Sequence, residues 1–356
     1  MQITRLSIKN FRNFAIGDFK FEERTAITGP NGSGKTSIVE SIYYLSSFKS
    51  FRASSEAKVV KIGEFEFVVN ADGEKEGEKF NLGFQYANSK KTVSFNGEKV
   101  EKLSNGFGIF LSVILSIYDK LLSHPYSIYR RKFLDRLIST IDDQYFEALM
   151  QYHAVLRQKN NALKINQPRT LIDTYSTQMS QRAQYIYERR IEFSTYFEEV
   201  LNNVYSRIFE KDNLIKVKYF SSKDNGEYTD LTLLEAARKR IDTEERRKRS
   251  VCGVHLDDYI ITVNGHPISE FGSEGEKILL GITMKAAEIQ LIYENRGEYP
   301  VIMVDDAFSE LDSRKRESMI KLFEEFPQLI LTYPSRKIEE HKYYTIDLGV
   351  EKNEIL

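Results

Sequence analysis

One stretch constrains the fold of this chain more than any other. Gly29-Pro30-Asn31-Gly32-Ser33-Gly34-Lys35-Thr36 follows a short apolar run, Thr25 to Thr28, and opens an apolar-periodic segment from about Lys35 to Leu45. The pattern G-x-x-x-x-G-K-[ST] between a strand and a helix predicts a P-loop. Its glycines let backbone N–H groups curl around phosphate oxygens with no Cβ in the way. The helix N-terminus adds partial positive charge. Lys35 is expected to reach the β- and γ-phosphates and the Thr36 hydroxyl to ligate Mg²⁺. Gly29, Pro30, Asn31, Gly32, Ser33 and Gly34 complete the predicted nucleotide cradle. A strand that feeds a phosphate loop and then a helix belongs to an α/β sheet, so that is the predicted fold class.

A second signal lies far down the chain. Val301-Ile302-Met303-Val304 is apolar throughout and ends in Asp305-Asp306. That reads as a buried strand delivering carboxylates at its C-terminal end, where ligands bind in such sheets. Asp305 is expected to hold Mg²⁺ and Asp306 to polarise the attacking water. Ser273-Glu274-Gly275-Glu276 precedes an apolar-periodic helix, expected from about Gly275 to Tyr293. Ser273 with Glu276 also makes a capping box, and the helix start is an anion site. Thr332 ends a further strand, Leu329 to Thr332.

The rest of the chain divides by character. Up to residue 129 short strands dominate: Gln2 to Ile8, Phe65 to Ala71, Lys79 to Tyr86 and Thr92 to Phe95, the last followed by an Asn96-Gly97 hairpin turn. From 130 to 249 glycine almost vanishes and helix-period patterns take over, interrupted by a β-like segment from Leu214 to Phe220. From 250 strands return, with Tyr259 to Val263 closed by Asn264-Gly265. The expected organisation is therefore a head built from 1–129 and 250–356 with a helical arm, 130–249, inserted into it.

Composition excludes several alternatives. The net charge is -1, so no global field draws the chain onto nucleic acid, and any such surface must be local. Candidates are Arg130-Arg131-Lys132, Arg238-Lys239-Arg240 and Arg246-Arg247-Lys248-Arg249. Each competes with the plainer reading of a solvated helix face. A single cysteine, Cys252, excludes an internal disulfide framework and fits a reducing, cytoplasmic setting. No stretch is apolar for the roughly 20 residues that a membrane-spanning helix needs.

The order P-loop, helical insertion, S-x-G-E, acid pair resembles SMC-like ATPases of the ATP-binding-cassette type. At this arm length the chain is similar to the RecF family. The resemblance is carried by Ile8-Lys9-Asn10-Phe11-Arg12-Asn13, Ser50-Phe51-Arg52, Arg131-Lys132-Phe133-Leu134-Asp135, Leu156-Arg157-Gln158-Lys159-Asn160, Gly253-Val254-His255-Leu256-Asp257-Asp258 and Asp305-Asp306-Ala307-Phe308-Ser309-Glu310-Leu311-Asp312. It implies a cassette head of mixed sheets around the P-loop, with an SMC-like arm. It implies an ATP- and Mg²⁺-dependent protein of recombinational repair and replication: a slow, DNA-stimulated ATPase acting as a switch. ATP would close a homodimer in which Ser273, Gly275 and the D-loop Asp312 meet the nucleotide of the other copy, and Thr332 senses the γ-phosphate. Partners implied are DNA at single-strand/double-strand junctions and mediators like RecR and RecO. The chain departs from the family pattern at Ser116-Ile117-Tyr118-Asp119, at Leu256 and at Glu274 and Glu276. Two rivals weigh against this resemblance. A nuclease-fused ATPase would need an acidic metal domain for which no region is left. A long SMC clamp would need an extended heptad repeat, which is absent.

Overall fold

The computed structural model describes residues 1–209, 214–221, 230–307, 313–333 and 342–349. The chain begins with β1 (Gln2–Phe11), β2 (Phe14–Lys20), β3 (Arg24–Thr28) and α1 (Lys35–Ser47). It continues with β4 (Phe67–Lys75), β5 (Glu78–Ala87), β6 (Lys90–Phe95), β7 (Glu98–Lys99), α2 (Leu103–Gly106) and β8 (Ser112–Ser116). Helices follow: α3 (Ser127–Ile141), α4 (Asp143–Lys164) and α5 (Arg169–Phe209), then β9 (Ile215–Phe220), α6 (Asp230–Lys239) and α7 (Ile241–Arg247). Next come β10 (Asp258–Val263), β11 (His266–Pro267), α8 (Ile268–Phe271) and α9 (Glu274–Arg296). The described chain closes with β12 (Val301–Asp305), α10 (Ser313–Glu324), β13 (Leu329–Tyr333) and β14 (Tyr344–Asp347).

Two compact units result: Met1–Asp119 with Ile292–Leu356, and Lys120–Leu291. The expected division at 130 and 249 differs from this one. Residues 250–291 group with the arm because β10 pairs with β9 along its whole length, from Asp258↔Phe220 to Val263↔Ile215. A strand inside the predicted arm thus recruits the segment after it.

The first unit is built on two sheets. Five parallel strands run in the order β14-β3-β13-β12-β8. β8 and β12 are buried at every position, which is why they read as continuous apolar runs without alternation. The second sheet is antiparallel, β2-β1-β4-β5-β6-β7, and alternates buried with exposed residues. Its tight turn at Asn96-Gly97 takes positive φ at both residues, 51° and 83°, the backbone that asparagine and glycine tolerate. Helix α1 packs against β1, β4 and β5 of one sheet and β8, β12 and β13 of the other. A single core joins Leu6, Phe11, Phe67 and Phe84 with Ile38, Ile42 and Tyr44, and with Ile114, Met303 and Ile330. Phe11, Tyr44 and Phe67 meet edge to face with centroids 5.3 to 5.8 Å apart. This core fixes α1 between the sheets, and so fixes the loop from which α1 springs.

The second unit is a helical hairpin with a small sheet. The 22-residue α4 returns as the 41-residue α5 through Ile165–Pro168, where Asn166 adopts φ 54° and Pro168 precedes the new helix. Ile172, Met179, Ala183, Ile186, Phe193, Phe197, Val200 and Val204 recur at helical spacing along the buried side of α5. Arg190 sits among them fully buried. Its guanidinium donates to both oxygens of Asp135, to the Tyr145 hydroxyl and to the Val254 carbonyl. Asp257 lies 3.6 Å away. Among the described residues no helix is long and apolar enough to cross a membrane.

Candidate nucleotide site

The C-terminal edge of the parallel sheet assembles the site. In register, Asp305 stands beside Ser116 on one side and Thr332 on the other, and Tyr333 beside Thr28. The P-loop leaves this edge directly after β3. Gly29 has φ 146° and Gly34 φ 107°, both left-handed. At Gly34 a Cβ would also stand 2.6 Å from the Phe14 ring, so only glycine lets the β1–β2 turn lie this close to the loop. Asn13 supports that approach by donating to the Ser33 carbonyl at 3.4 Å. Lys35 Nζ reaches back along the loop to the Gly29 and Pro30 carbonyls at 2.7 and 3.0 Å.

Thr36 and Thr332 both donate to the same oxygen of Asp305, Oδ1, at 3.0 Å. Burial pushes the Asp305 carboxyl above the usual carboxylate range, although the two hydroxyls and nearby Arg52 pull the other way. A divalent cation suits these groups. Thr36 donates its hydroxyl hydrogen bond to Asp305, which leaves the hydroxyl lone pairs for a hard cation, and positive charge there would relieve a carboxylate that burial disfavours. Asp306 follows at φ 55° and is exposed. A cavity of about 680 Å³ takes in Asn31, Gly32, Gly34, Lys35 and Thr36 of the loop together with Asp305, Asp306 and Thr332. Of the residues predicted from sequence, this unit therefore brings together the P-loop, both acids and the threonine.

The cavity also includes residues to which sequence reasoning gave no role: Arg12, Asn13, Arg52, Lys58, Val60 and Ile62. The signal was present. Arg12-Asn13 and Ser50-Phe51-Arg52 are among the segments that carry the resemblance, without a chemistry of their own.

In the other unit, Ser273 stands exposed before α9, and its capping box is formed. The Ser273 N–H and hydroxyl donate to Glu276 Oε2 at 2.8 Å, and the Glu276 N–H returns to the Ser273 hydroxyl at 3.3 Å. A Cβ on Gly275 would meet only open space. Ser309-Glu310-Leu311-Asp312, and with it the D-loop assignment of Asp312, lies outside the described residues.

The basic runs need one correction. Arg130 was expected at a DNA surface but is 4% exposed. It forms a bidentate pair with Asp258 at 3.1 and 2.7 Å and donates to the His124 carbonyl, so its donors are consumed inside the protein. Arg131 is half-buried and donates to the Asp257 carbonyl. Burial and the neighbouring Arg190 hold its pKa below the ordinary arginine value. Lys132 is exposed. Arg246, Arg247 and Arg249 are exposed and Lys248 is half-exposed, with its ammonium on Asn166.

Comparison with known proteins agrees with this geometry. The family model described as RecF/RecN/SMC N terminal domain matches residues 2–346. The chain belongs to this family. Within it the relatives are RecF proteins. The chain is 31% identical to the DNA replication and repair protein RecF of Clostridium acetobutylicum over 355 residues, 98% of this chain and 97% of that one. It is 30% identical to the RecF of Acetivibrio thermocellus over 361 residues, 98% of each. The solved structure of the recombination mediator protein RecF–ATP in the RecFOR pathway superposes with a TM-score of 0.88 at 26% identity, covering 98% of this chain and 96% of that one. An SMC head bound to the C-winged helix domain of ScpA reaches a TM-score of 0.52 at 14% identity over 98% and 94%, a likeness of fold alone. The α/β head with mixed sheets is thus that of the RecF and SMC ATPases. The chain is a RecF-like ATP-binding protein of DNA repair.

Proposed function

We propose that this chain is an ATP-driven switch on DNA: a slow, DNA-stimulated ATPase whose nucleotide closes a homodimer at single-strand/double-strand junctions. The observation that carries this reading is the convergence of Lys35, Thr36, Asp305 and Asp306 on one cavity at the C-terminal edge of a parallel sheet. Lys35 and the loop N–H groups bind the phosphates, which the helix N-terminus also favours. Thr36 and Asp305 would hold Mg²⁺, whose charge offsets that of the phosphate oxygens. Asp306 orients the attacking water and accepts its proton. Thr332, through its hydroxyl on Asp305, would couple that carboxylate to the state of the γ-phosphate.

Ser273 and Gly275 open α9 with an exposed N-terminus that favours an anion, and in this proposal the anion is the nucleotide of a second copy. Asp312 is assigned to the same interface on sequence grounds alone. DNA binding falls to the exposed Arg246, Arg247 and Arg249 with Lys248, and to the exposed Lys132 on its own helix. Arg131 spends its Nη1 on the Ser127 hydroxyl and the Asp257 carbonyl, which leaves only its other nitrogens for a phosphate. Mediators like RecR and RecO would be partners because the relatives belong to that pathway.

Sedimentation with and without ATP, repeated with gapped duplex DNA, tests the proposal. An ATP-dependent dimer that binds the gapped duplex more tightly than blunt duplex supports it. A chain that stays monomeric with ATP bound, on or off DNA, refutes the switch.

A further inference from the structure

Behind the P-loop lies a charged cluster that the phosphate chemistry above does not use. Glu40 stands four residues after Thr36 on α1, on the same helix face. Its carboxylate is fully buried and accepts from three side chains. Arg12 donates from Nε at 2.8 Å and Nη2 at 2.6 Å. Arg52 donates from Nε at 2.9 Å and places Nη2 at 2.8 Å. Ser50 contributes its hydroxyl, which in turn accepts the N–H groups of Arg52 and Ala53 at 3.0 and 2.6 Å. One buried carboxylate thus gathers two separate segments, the β1–β2 turn and the loop after α1, onto the P-loop helix.

Both arginines line the nucleotide cavity, as does Lys58, whose carbonyl takes the remaining Arg12 Nη1 at 2.7 Å. Arg12 therefore has a partner on each of its three nitrogens. It braces, and it does so from a left-handed backbone, φ 56°, that a non-glycine residue adopts at a cost. Arg52 differs: Nε and Nη2 are engaged, while no hydrogen bond from Nη1 occurs among the described residues. That end is available to an anion in the cavity. Burial alone would push the Glu40 carboxyl up, but Arg12, Ser50 and Arg52 outweigh it and hold the carboxyl below the usual range, so the cluster stays ionised.

We propose that Glu40 is a positioning residue of the nucleotide site, which aims Arg52 and, through Arg12, the Lys58 segment at bound nucleotide without touching it. The proposal rests on the reading of the cavity as an ATP site. Two opposite expectations make it testable. Were Glu40 only a negative charge near the phosphates, Glu40→Gln would tighten ATP binding by removing repulsion. As a positioning residue its loss loosens both arginines and weakens binding, on the order of 10–100-fold, the range for outer-shell partners of a ligand site.

The full chain carrying Glu40→Gln, Arg52→Gln or both is titrated with ATP·Mg²⁺ by calorimetry, alongside steady-state phosphate release and thermal melts. The expected result is a raised Kd and KM in Glu40→Gln, at temperatures where the melt shows it folded. Arg52→Gln should show the same sign, and the double variant should be far less than additive. Unchanged or tighter ATP binding in folded Glu40→Gln overturns the inference, as does strict additivity. If Glu40→Gln does not fold, Glu40→Asp keeps the charge and withdraws it by one methylene. A raised Kd supports the inference there and an unchanged one overturns it. Lys35→Ala separates the two layers of argument. ATP binding lost in Lys35→Ala but intact in Glu40→Gln sinks only the positioning role. ATP binding that survives in Lys35→Ala sinks the nucleotide site itself.

Discussion

Replacing Arg130 with alanine separates a structural arginine from a DNA-binding one. The side chain is 5% exposed and its partner Asp258 22%. Truncating one member of a buried pair costs about 3–5 kcal/mol when the other is stranded. Asp258 is not wholly stranded, because the Tyr259 N–H donates to its Oδ1 at 2.7 Å and water can reach it. The His124 carbonyl loses its donor as well. The balance places the loss at about 2–3 kcal/mol. For a body of 150–250 residues that lowers the melting temperature of the helical unit by roughly 5–10 °C, at ~2–4 °C per kcal/mol. Lys132→Ala, on the same helix but exposed, should stay within about 0.5 kcal/mol of the parent. Circular dichroism gives the melts. Fluorescence anisotropy with gapped duplex, across a salt series and well below the melts, gives the slope of log K against log[salt]. Arg130→Ala should lower the melt and leave the slope alone. Neutralising Arg246, Arg247, Lys248 and Arg249 together should leave the melt alone and flatten the slope by about 0.9 for each phosphate that the protein no longer neutralises. An Arg130→Ala protein with an unchanged melt and a flattened slope would refute the structural assignment.

Three further outcomes follow from the nucleotide site. Lys35→Ala should abolish ATP-dependent behaviour in a folded protein, checked by nucleotide titration, because it removes the charge that holds the β- and γ-phosphates. Asp305→Asn and Asp306→Asn should part company. Burial raises the folded pKa of Asp305, so its ionised form opposes folding at neutral pH, and that cost shrinks as pH falls below the folded value. Asp305→Asn should therefore melt no lower than the parent at pH 7 while losing Mg²⁺-dependent ATP binding, whereas Asp306→Asn should bind ATP normally and hydrolyse it slowly. Identical behaviour of the two variants would contradict this division of roles. Ser273→Arg should block ATP-driven dimerisation in sedimentation runs and leave monomer ATP binding near normal; a dimer of unchanged affinity would remove the shared-site model.

The P-loop and the acid strand were legible because each is a local pattern. A strand, a glycine loop and a helix are contiguous, and a run such as Val301–Val304 announces its burial by itself. The hairpins at Asn96-Gly97 and Asn264-Gly265 were legible for the same reason, all four residues taking positive φ. β8 was not read, because Ser112–Ser116 is short, buried throughout and without periodicity, and its place beside β12 depends on residues far away. The arm shows the limit most clearly. Three of the segments that marked the family resemblance supply partners in buried polar interactions: Asp135 with Arg190, Arg130 with Asp258 next to Arg131 on the Asp257 carbonyl, and Lys159 with Glu244. These partners are 55, 128 and 85 residues apart, beyond any pattern along the chain. Arg130-Arg131-Lys132 held one warning. Consecutive residues on a helix point about 100° apart, so three adjacent cations cannot all face one ligand. At least one had to turn inward or aside.

The same contrast between local pattern and distant partner bears on the acid pair. Along a strand successive side chains point to opposite faces, so Asp305 and Asp306 could not both serve one cavity if β12 simply continued. The strand ends at Asp305, whose carboxylate stays with the Thr36 and Thr332 hydroxyls. Asp306 then turns left-handed, at φ 55°, and both acids line the cavity. A non-glycine residue holds that backbone at a cost of about 1–2 kcal/mol, which aspartate tolerates better than most. Strain of this kind persists where the surroundings enforce it, and sites of chemistry are where it gathers. A second strained residue, Arg12, borders the same cavity. The turn also bears on the reach of the Asp306 carboxylate, compared with a glutamate at the same place. Aspartate is one methylene shorter, and a backbone that swings toward the cavity restores reach that the side chain lacks. The proposed base is thereby placed by main-chain geometry, which makes Asp306→Glu a sharper probe than its conservative appearance suggests. The longer side chain on the same left-handed backbone should overshoot the water position and lower kcat with ATP affinity unchanged, whereas a kcat equal to or above that of the parent would show that the turn sets no such distance.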